Sequence, residues 1–450
     1  MTDTESDGLP VPRRYWAAVS IWLSMGLAVL DGAIANVALP TIAHDLGASP
    51  AASIWVINAY QIAITMLLLP VAALGEILGY RRVYGFGLAI FVAASLACTF
   101  AESLTSLAVA RFIQGFGAAG VMAINGALVR FTFPRSMLGR GISYNALVVA
   151  IASAAGPSIA AAVLALGSWR WLFAVNVPIG LLALVLGQRC LPAVAGTKGR
   201  FGFVSSILNA VMFGAGFLAA SDASHGRYGT TMALEVAAAL AAGILLVRRV
   251  RHQKDPLIPL DLLRIPILRL SYLTSVCAFA AQMIGLVALP FYLQGRFGLD
   301  HVMTGLLITP WPLAVAVAAP LSGRLMERIS PATLGGIGMA IMAAGFGGIL
   351  LLPAGLPATW LIPGMVACGA GFGLFQTPNN QIMLSTGPSS RSGAAAGMLA
   401  IARLVGQTVG AVMVAQLFRV SGPTAKATFM AGAVFSTVAV VVSLRRLSSR

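Results

Sequence analysis

Three observations predict that the chain is an all-α polytopic membrane protein of fourteen spans. Of its 450 residues, 58% are hydrophobic and only 9% are charged, where a soluble domain carries about 25% charged residues. So few charges cannot make an aqueous surface for a chain of this size, and the mean hydropathy is +0.90. The apolar residues also gather into runs of about 18 or more, the length that crosses a bilayer as a helix. Finally, the basic residues collect between alternate runs.

The fourteen runs are 16–39, 52–73, 83–101, 105–131, 139–166, 171–189, 203–221, 230–248, 269–294, 302–326, 332–352, 357–384, 394–419 and 425–445. With both termini placed in the cytoplasm, 22 of the 29 basic residues fall on the cytoplasmic side and 5 on the outer side. The remaining two, Arg111 and Arg403, lie inside runs. A bias of this size is the positive-inside rule at work, and it supports the even count. It also explains the net charge of +16 without any nucleic acid.

Span 1 reads WAAVSIWLSMGLAVLDGAIANVALP over 16–40. Asp31 lies fifteen residues into it and is the only carboxylate forced deep into an apolar run. An ionised carboxylate in hydrocarbon costs several kcal/mol unless it is paired, hydrated or protonated. Asp31 therefore marks a substrate path or a proton relay. Ala33-Ile34-Ala35 resembles a signal cleavage site, but the run is too long for a leader and Asp3, Glu5 and Asp7 precede it.

Spans 2 and 3 are joined by Gly75-Glu76-Ile77-Leu78-Gly79-Tyr80-Arg81-Arg82. The tight turn calls for glycine at Gly79. Glu76 beside Arg81 and Arg82 reads equally as a charge latch between helix ends and as an ordinary basic loop. Span 4 contains Arg111 in LAVARFIQGFGAAG. A guanidinium does not realistically lose its proton, so it needs a partner or a wet cavity, and Asp31 is the candidate. Gln114 lies one turn on. The GxGxxG at Gly115 to Gly120 fails as a dinucleotide fingerprint, since no strand precedes it and no acid follows about twenty residues later. Small residues that let helices approach closely explain it.

Span 5 is interrupted at Gly156-Pro157, where proline removes a hydrogen bond and kinks the helix. Span 6 opens with WRWLFAVNVPIG, and spans 7 and 8 follow as a separate pair. The basic stretch from 248 to 270 suits the surface of an anionic leaflet. Spans 9 to 11 are plain apolar runs. Span 12 sets Thr377, Asn379, Asn380 and Gln381 around Pro378, and span 13 carries Arg403 and Gln407 one turn apart. These amides suit substrate binding and helix-to-helix bonding equally; the charge of Arg403 favours function. Span 14 closes the series.

A long-period repeat underlies the order. Residues 72–79, AALGEILG, correspond to 323–330, GRLMERIS, at an offset of 251. Residues 115–119, GFGAA, correspond to 369–373, GAGFG, at an offset of 254, and Asn125 falls opposite Asn379. Two six-span halves with spans 7 and 8 between them account for all fourteen, and duplicated halves around a midplane site are a transporter architecture. The expected parts are a tail over 1–15, a bundle over 16–189, a linker with two extra spans over 190–268, a second bundle over 269–445 and a short tail over 446–450. No P-loop, G-x-S-x-G elbow or HExxH motif is present, the four histidines read as loop residues, and the four cysteines read as small core residues. No enzyme, metal site or cofactor is expected.

Together these motifs resemble the major facilitator superfamily, in its fourteen-span drug:proton antiporter branch. LDGAIANVALP (30–40) resembles that branch's first-helix motif, through Asp31, Asn36 and Pro40. ALGEILGYRRVY (73–84) resembles the superfamily's loop motif, RFIQGFGAAG its fourth-helix motif and AAGPSIAA the fifth-helix antiporter motif; WRWLFAVNVPIG and TPNNQIM are also typical. Glu76 replaces the usual Asp, Ala72 the first Gly, and Ala160-Ala161 the closing glycine pair. The resemblance implies export of lipophilic drugs or antibiotics in exchange for protons, driven by the gradient with no cofactor. On that implication Asp31 carries the proton and Arg111 tunes its proton affinity. Glu76, Gly79, Arg81, Arg82, Gly156 and Pro157 serve the conformational change, while Asn36, Gln114, Asn379, Asn380, Arg403 and Gln407 face the substrate. The implied setting is a monomer in the bacterial cytoplasmic membrane, with a small lipophilic substrate, protons and the bilayer as its partners. A dedicated exporter of one host-made metabolite is the alternative, and a non-transporting receptor or scaffold a remote one.

Overall fold

The computed structural model describes residues 8–446 except 135–136, 195, 197–200, 225–228, 251–262, 354 and 387–391. Most of the basic stretch after span 8 thus lies outside the described residues. Among the described residues every regular element is helical. Fourteen segments are long and apolar enough to cross a membrane. They are Arg13–Asp45, Pro50–Leu78, Tyr80–Thr99, Leu104–Thr132, Leu147–Leu166, Trp171–Cys190, Phe203–Asp222, Thr230–Arg249, Pro266–Phe297, His301–Leu325, Pro331–Leu351, Ala358–Met383, Met398–Ser421 and Ala427–Arg445. They correspond one to one with the runs read from the sequence, and are called spans 1 to 14 below.

The ends differ where the chain is polar or carries proline. Span 1 runs on through Pro40 to Asp45, and span 9 through Pro290 to Phe297. Proline costs a membrane helix one hydrogen bond, which close neighbours make tolerable, so it does not stop either helix. His44 therefore lies on a helix, and His301 begins one, where loops were expected. Several spans are jointed instead. Span 4 divides into Leu104–Met122 and Asn125–Thr132, span 6 into Trp171–Ala174 and Asn176–Cys190, and span 10 into His301–Ile308 and Pro310–Leu325.

The sequence repeat is visible as repeated packing. Added Cβ atoms on Gly115 and Gly117 would strike the backbone of Tyr60 in span 2 and of Gly87 and Phe91 in span 3. In the second half, Gly369 and Gly371 approach the backbone of Trp311 in span 10 and of Gly338 and Met342 in span 11 in the same way. Tyr60 to Trp311 and Gly87 to Gly338 are offsets of 251, and Gly115 to Gly369 is 254, so the two offsets recur in three dimensions. The GxGxxG of span 4 is thus a contact surface for two helices. Gly117→Val is expected to destabilise the protein by at least about 1–3 kcal/mol, because the blocking atoms are backbone. The check is thermal stability in detergent beside Gly126→Val, where a Cβ meets nothing within 4 Å.

The added pair is asymmetric. Span 7 lies on the seam between the halves: Asn209 Nδ2 donates to Met66 O of span 2 at 2.8 Å, and Phe217 meets the Trp55 ring at 5.0 Å. Span 8 packs on span 7 and leaves Leu234 and Leu240 on the outside.

On the face opposite the termini the halves are joined directly. Thr41 and His301 are hydrogen-bonded at 3.1 Å, Ser158 and Thr309 at 2.9 Å. One apolar cluster there runs without a break from Ile34, Leu39 and Trp169 of the first half to Ala278, Leu289 and Ile308 of the second. The four cysteines are free thiols, three of them buried.

Candidate functional site

Five helices of the first half bring their polar residues to one point. Asp31 projects from span 1, Tyr60 from span 2, Ser95 and Cys98 from span 3, Arg111 and Gln114 from span 4, and Asn176 from span 6. Asp31 is 2% exposed, and Arg111, Gln114 and Asn176 are wholly buried. Arg111 Nη1 donates to Asp31 Oδ2, and these two form a salt bridge. Asp31 Oδ1 accepts from Asn176 Nδ2 at 2.8 Å and from Gln114 Nε2 at 3.0 Å. The carboxylate therefore has three donors, one of them charged.

Gln114 ties the site together. Arg111 and Gln114 lie one turn apart on the same face of span 4, so that Nη1 also donates to Gln114 Oε1 at 2.6 Å. Gln114 Nε2 gives its other proton to Ser95 Oγ at 2.8 Å. Arg111 Nε donates to the carbonyl of Val56 at 3.0 Å, and the guanidinium lies over the Tyr60 ring at 4.2 Å. Tyr60 in turn donates to the carbonyl of Ala28 at 3.0 Å. Arg111 Nη2 and Asn176 Oδ1 have no hydrogen-bond partner among the described residues.

The arrangement is suited to holding and releasing a proton. A buried ion pair needs further hydrogen bonds to offset its desolvation; here the carboxylate accepts three and the guanidinium donates through Nε and Nη1. A proton on Asp31 would cancel the attraction to Arg111, so occupancy of the carboxylate is coupled to how tightly spans 1 and 4 are held. Among the described residues the second half repeats no such ion pair. At the offset of 254 within span 12, Met365 and Cys368 stand where span 4 has Arg111 and Gln114, and both are buried.

Asn176, Tyr60 and Ser95 were not singled out from the sequence. Each is one polar residue in an apolar run, which is common in membrane helices, so its meaning depends on its neighbours. The break in span 6 is the one local signal, since Asn176 begins the helix after it.

The other candidates are distributed. Asn36 is on span 1, buried, its Oδ1 without a hydrogen-bond partner among the described residues. Gly79 makes the turn between spans 2 and 3 at φ +93°, a conformation side chains with a Cβ rarely adopt, against the carbonyl of Val194. Around it Glu76 and Arg82 are exposed and Arg81 is half-buried. Gly156 abuts Ala33 of span 1, and the Pro157 carbonyl faces Gly305 of span 10, which puts the kink at the junction of the halves.

Asn379 does not open onto free space. Its Oδ1 accepts from Arg446 Nη1 and its Nδ2 donates to Ser275 Oγ, both at 2.7 Å. Arg446 also donates to Ser271 and Ser443. Counted above with the loop charges, Arg446 is instead buried, because span 14 ends one residue before it and turns its head inward. Asn379 here bonds helices to one another. Asn380 is half-buried beside it.

Arg403 and Gln407 lie on span 13. Leu404 joins the apolar cluster of Tyr60 and Ile64, while Gly406 and Gly410 pack on Val276, Phe279 and Ala280 of span 9. At about 100° per residue, Arg403 and Gln407 fall on the sector between those faces, toward the space between the halves. The opposite side of span 13 lines an apolar cavity of about 480 Å³ shared with spans 2 and 7, whose walls include Ile62, Thr65, Met212, Phe217, Thr408 and Val412. Among the described residues no cluster of His, Cys, Asp and Glu is arranged for a metal.

The chain is 49% identical to the uncharacterized transporter YebQ of Escherichia coli, over 100% of this chain and 99% of that one. It is 28% identical to the riboflavin transporter RibZ of Clostridioides difficile, over 90% of this chain and 88% of the other. Identity to the multidrug efflux pump LfrA of Mycolicibacterium smegmatis is 30%, over 90% and 81%. The model of the Major Facilitator Superfamily matches residues 21–411. With that match covering spans 2 to 12 entirely and most of spans 1 and 13, the chain belongs to the Major Facilitator Superfamily.

Proposed function

We propose that the protein is a proton-coupled exporter of small lipophilic molecules, drugs or antibiotics among them, in a bacterial cytoplasmic membrane. The observation that carries this reading is the buried site around Asp31. A single mid-membrane carboxylate held by an arginine and two amides is equipped to alternate between a charged and a neutral form. The multidrug efflux pump LfrA among the relatives favours a lipophilic cargo.

With the termini in the cytoplasm, as the distribution of basic residues favours, the joined face is the outer one. The state described here then faces the cytoplasm and would take cargo from that side. Opening the other way must separate Thr41 from His301 and Ser158 from Thr309. Gly156 and Pro157 lie where span 5 would pivot, and Gly79 with Glu76, Arg81 and Arg82 would latch the cytoplasmic ends. Asp31 is the one carboxylate of this central site, which suits one proton per cycle. The riboflavin transporter among the relatives favours a second reading, a carrier dedicated to one compound.

Everted membrane vesicles test the proposal. Addition of a transported drug to energised vesicles is expected to release part of the pH gradient, and vesicles without the protein are not expected to respond. If no compound from a structurally varied set of lipophilic drugs moves protons, and loss of the gene leaves drug susceptibility unchanged, the drug-export reading fails.

A further inference from the structure

Among the described residues, Asp31, Arg111 and Arg403 lie deep in the spans, the buried Arg446 stands at the end of span 14, and two of the first three cancel. Asp31 and Arg111 form a salt bridge, which leaves Arg403 as a net positive charge inside the protein. No acidic side chain among the described residues lies within salt-bridge distance of Arg403. Its Nε is buried and has no hydrogen-bond partner among the described residues. The nearby ring of Tyr60 already carries Arg111 at 4.2 Å. Arg403 as a residue is only partly buried, and it lies on the sector of span 13 between the faces that pack on the two halves.

A guanidinium in this position needs an anion. Left alone in a membrane interior it is costly, and its planar fork of donors matches a carboxylate or sulfonate. A cationic molecule entering the same space would meet a like charge with little screening. We infer that Arg403 is the anchor for an anionic group on the transported molecule, so that the cargo is a lipophilic organic anion or zwitterion. This inference rests on the transport reading above and narrows it, because a lipophilic cation would be repelled by Arg403. Tyr60 lies within electrostatic reach of both Arg403 and the Asp31–Arg111 pair. A bound anion would therefore sit beside the proton site, and attract the proton that Asp31 must receive.

The test reads binding at equilibrium, so no proton gradient is involved. Purified full-length protein in nanodiscs is titrated with naphthalene-1-carboxylate, its neutral amide, naphthalen-1-ylmethylammonium, and the isosteric pair tetraphenylborate and tetraphenylphosphonium. All titrations are done at one fixed chloride concentration, following thermal stability and tryptophan fluorescence. At least one anion is expected to bind, with its neutral and cationic counterparts binding far more weakly. Arg403→Gln is expected to weaken the anion at least about tenfold, the loss of one charge-assisted contact, and Arg403→Lys to retain part of the affinity. Binding is read without a gradient, so failure of proton coupling in the vesicle assay and failure of this inference remain separate results.

Binding of the cations as strong as of the anions overturns the inference, as does an Arg403→Gln protein that binds the anions normally. Chloride alone giving the full effect would reduce Arg403 to a halide site and likewise overturn it. Absence of binding by every anion does the same. Should Arg403→Gln not fold, the ranking of the probes on the wild type and Arg403→Lys decides the matter.

Discussion

Asp31→Asn is expected to abolish pH-driven accumulation of substrate, to the level of vesicles without the protein, while exchange of labelled for unlabelled substrate continues. The change is isosteric and removes the carboxylate to which the proposed function assigns the proton. The fold is expected to tolerate it. Arg111 keeps the Val56 carbonyl, Gln114 Oε1 and the face of Tyr60. Asn176, whose Oδ1 has no partner among the described residues, can turn to accept from the new amide. Exchange needs no net proton movement, so the two assays distinguish lost coupling from lost binding or lost protein. Undiminished accumulation driven by a pH gradient would remove Asp31 from the coupling step.

Arg111→Gln is expected to be the most damaging single change to stability. It strands a buried carboxylate whose remaining partners, Gln114 and Asn176, are neutral amides. Breaking a buried pair from one side typically costs about 3–5 kcal/mol, enough to exhaust much of a protein's stability margin. The expected observation is a large fall in monodisperse protein and in its thermal midpoint. The double variant Asp31→Asn with Arg111→Gln is expected to recover much of that loss, because a neutral site of amides leaves no charge uncompensated. A single variant as stable as the wild type would mean that the pair is not held together in the membrane.

Much of this was legible in the chain. The fourteen spans were visible because a bilayer demands about twenty apolar residues per crossing whatever their partners. Asp31 and Arg111 were visible because a charge in such a run is expensive, and expense singles out a residue without any knowledge of its neighbours. The duplication was visible because the glycines that let span 4 meet spans 2 and 3 recur where span 12 meets spans 10 and 11, at the offsets the sequence already shows.

What stayed hidden was whatever depends on who the neighbour is. Asn176, Tyr60 and Ser95 are cheap residues in their own helices and acquire meaning where five helices converge. Asn379 and Arg446 show the reverse. An asparagine in a polar motif looked open to substrate and an arginine past the last span looked solvated, yet the two satisfy each other in the interior. Helix ends behaved similarly: the first apolar run ends before Pro40, but packed neighbours carry the helix past it to Asp45.

The sequence by itself determined the number of crossings, the sign pattern of the loops, the two halves and the charges that had to be explained, since each follows from the cost of placing a group in hydrocarbon. The tertiary structure alone decided which charges cancel. Asp31 and Arg111 meet because spans 1 and 4 adjoin within one half, and Arg403 has no acidic side chain within salt-bridge distance among the described residues, on the sector of span 13 between its contacts with the two halves. That difference is set by which helices touch, a property of the packed bundle that no single apolar run contains.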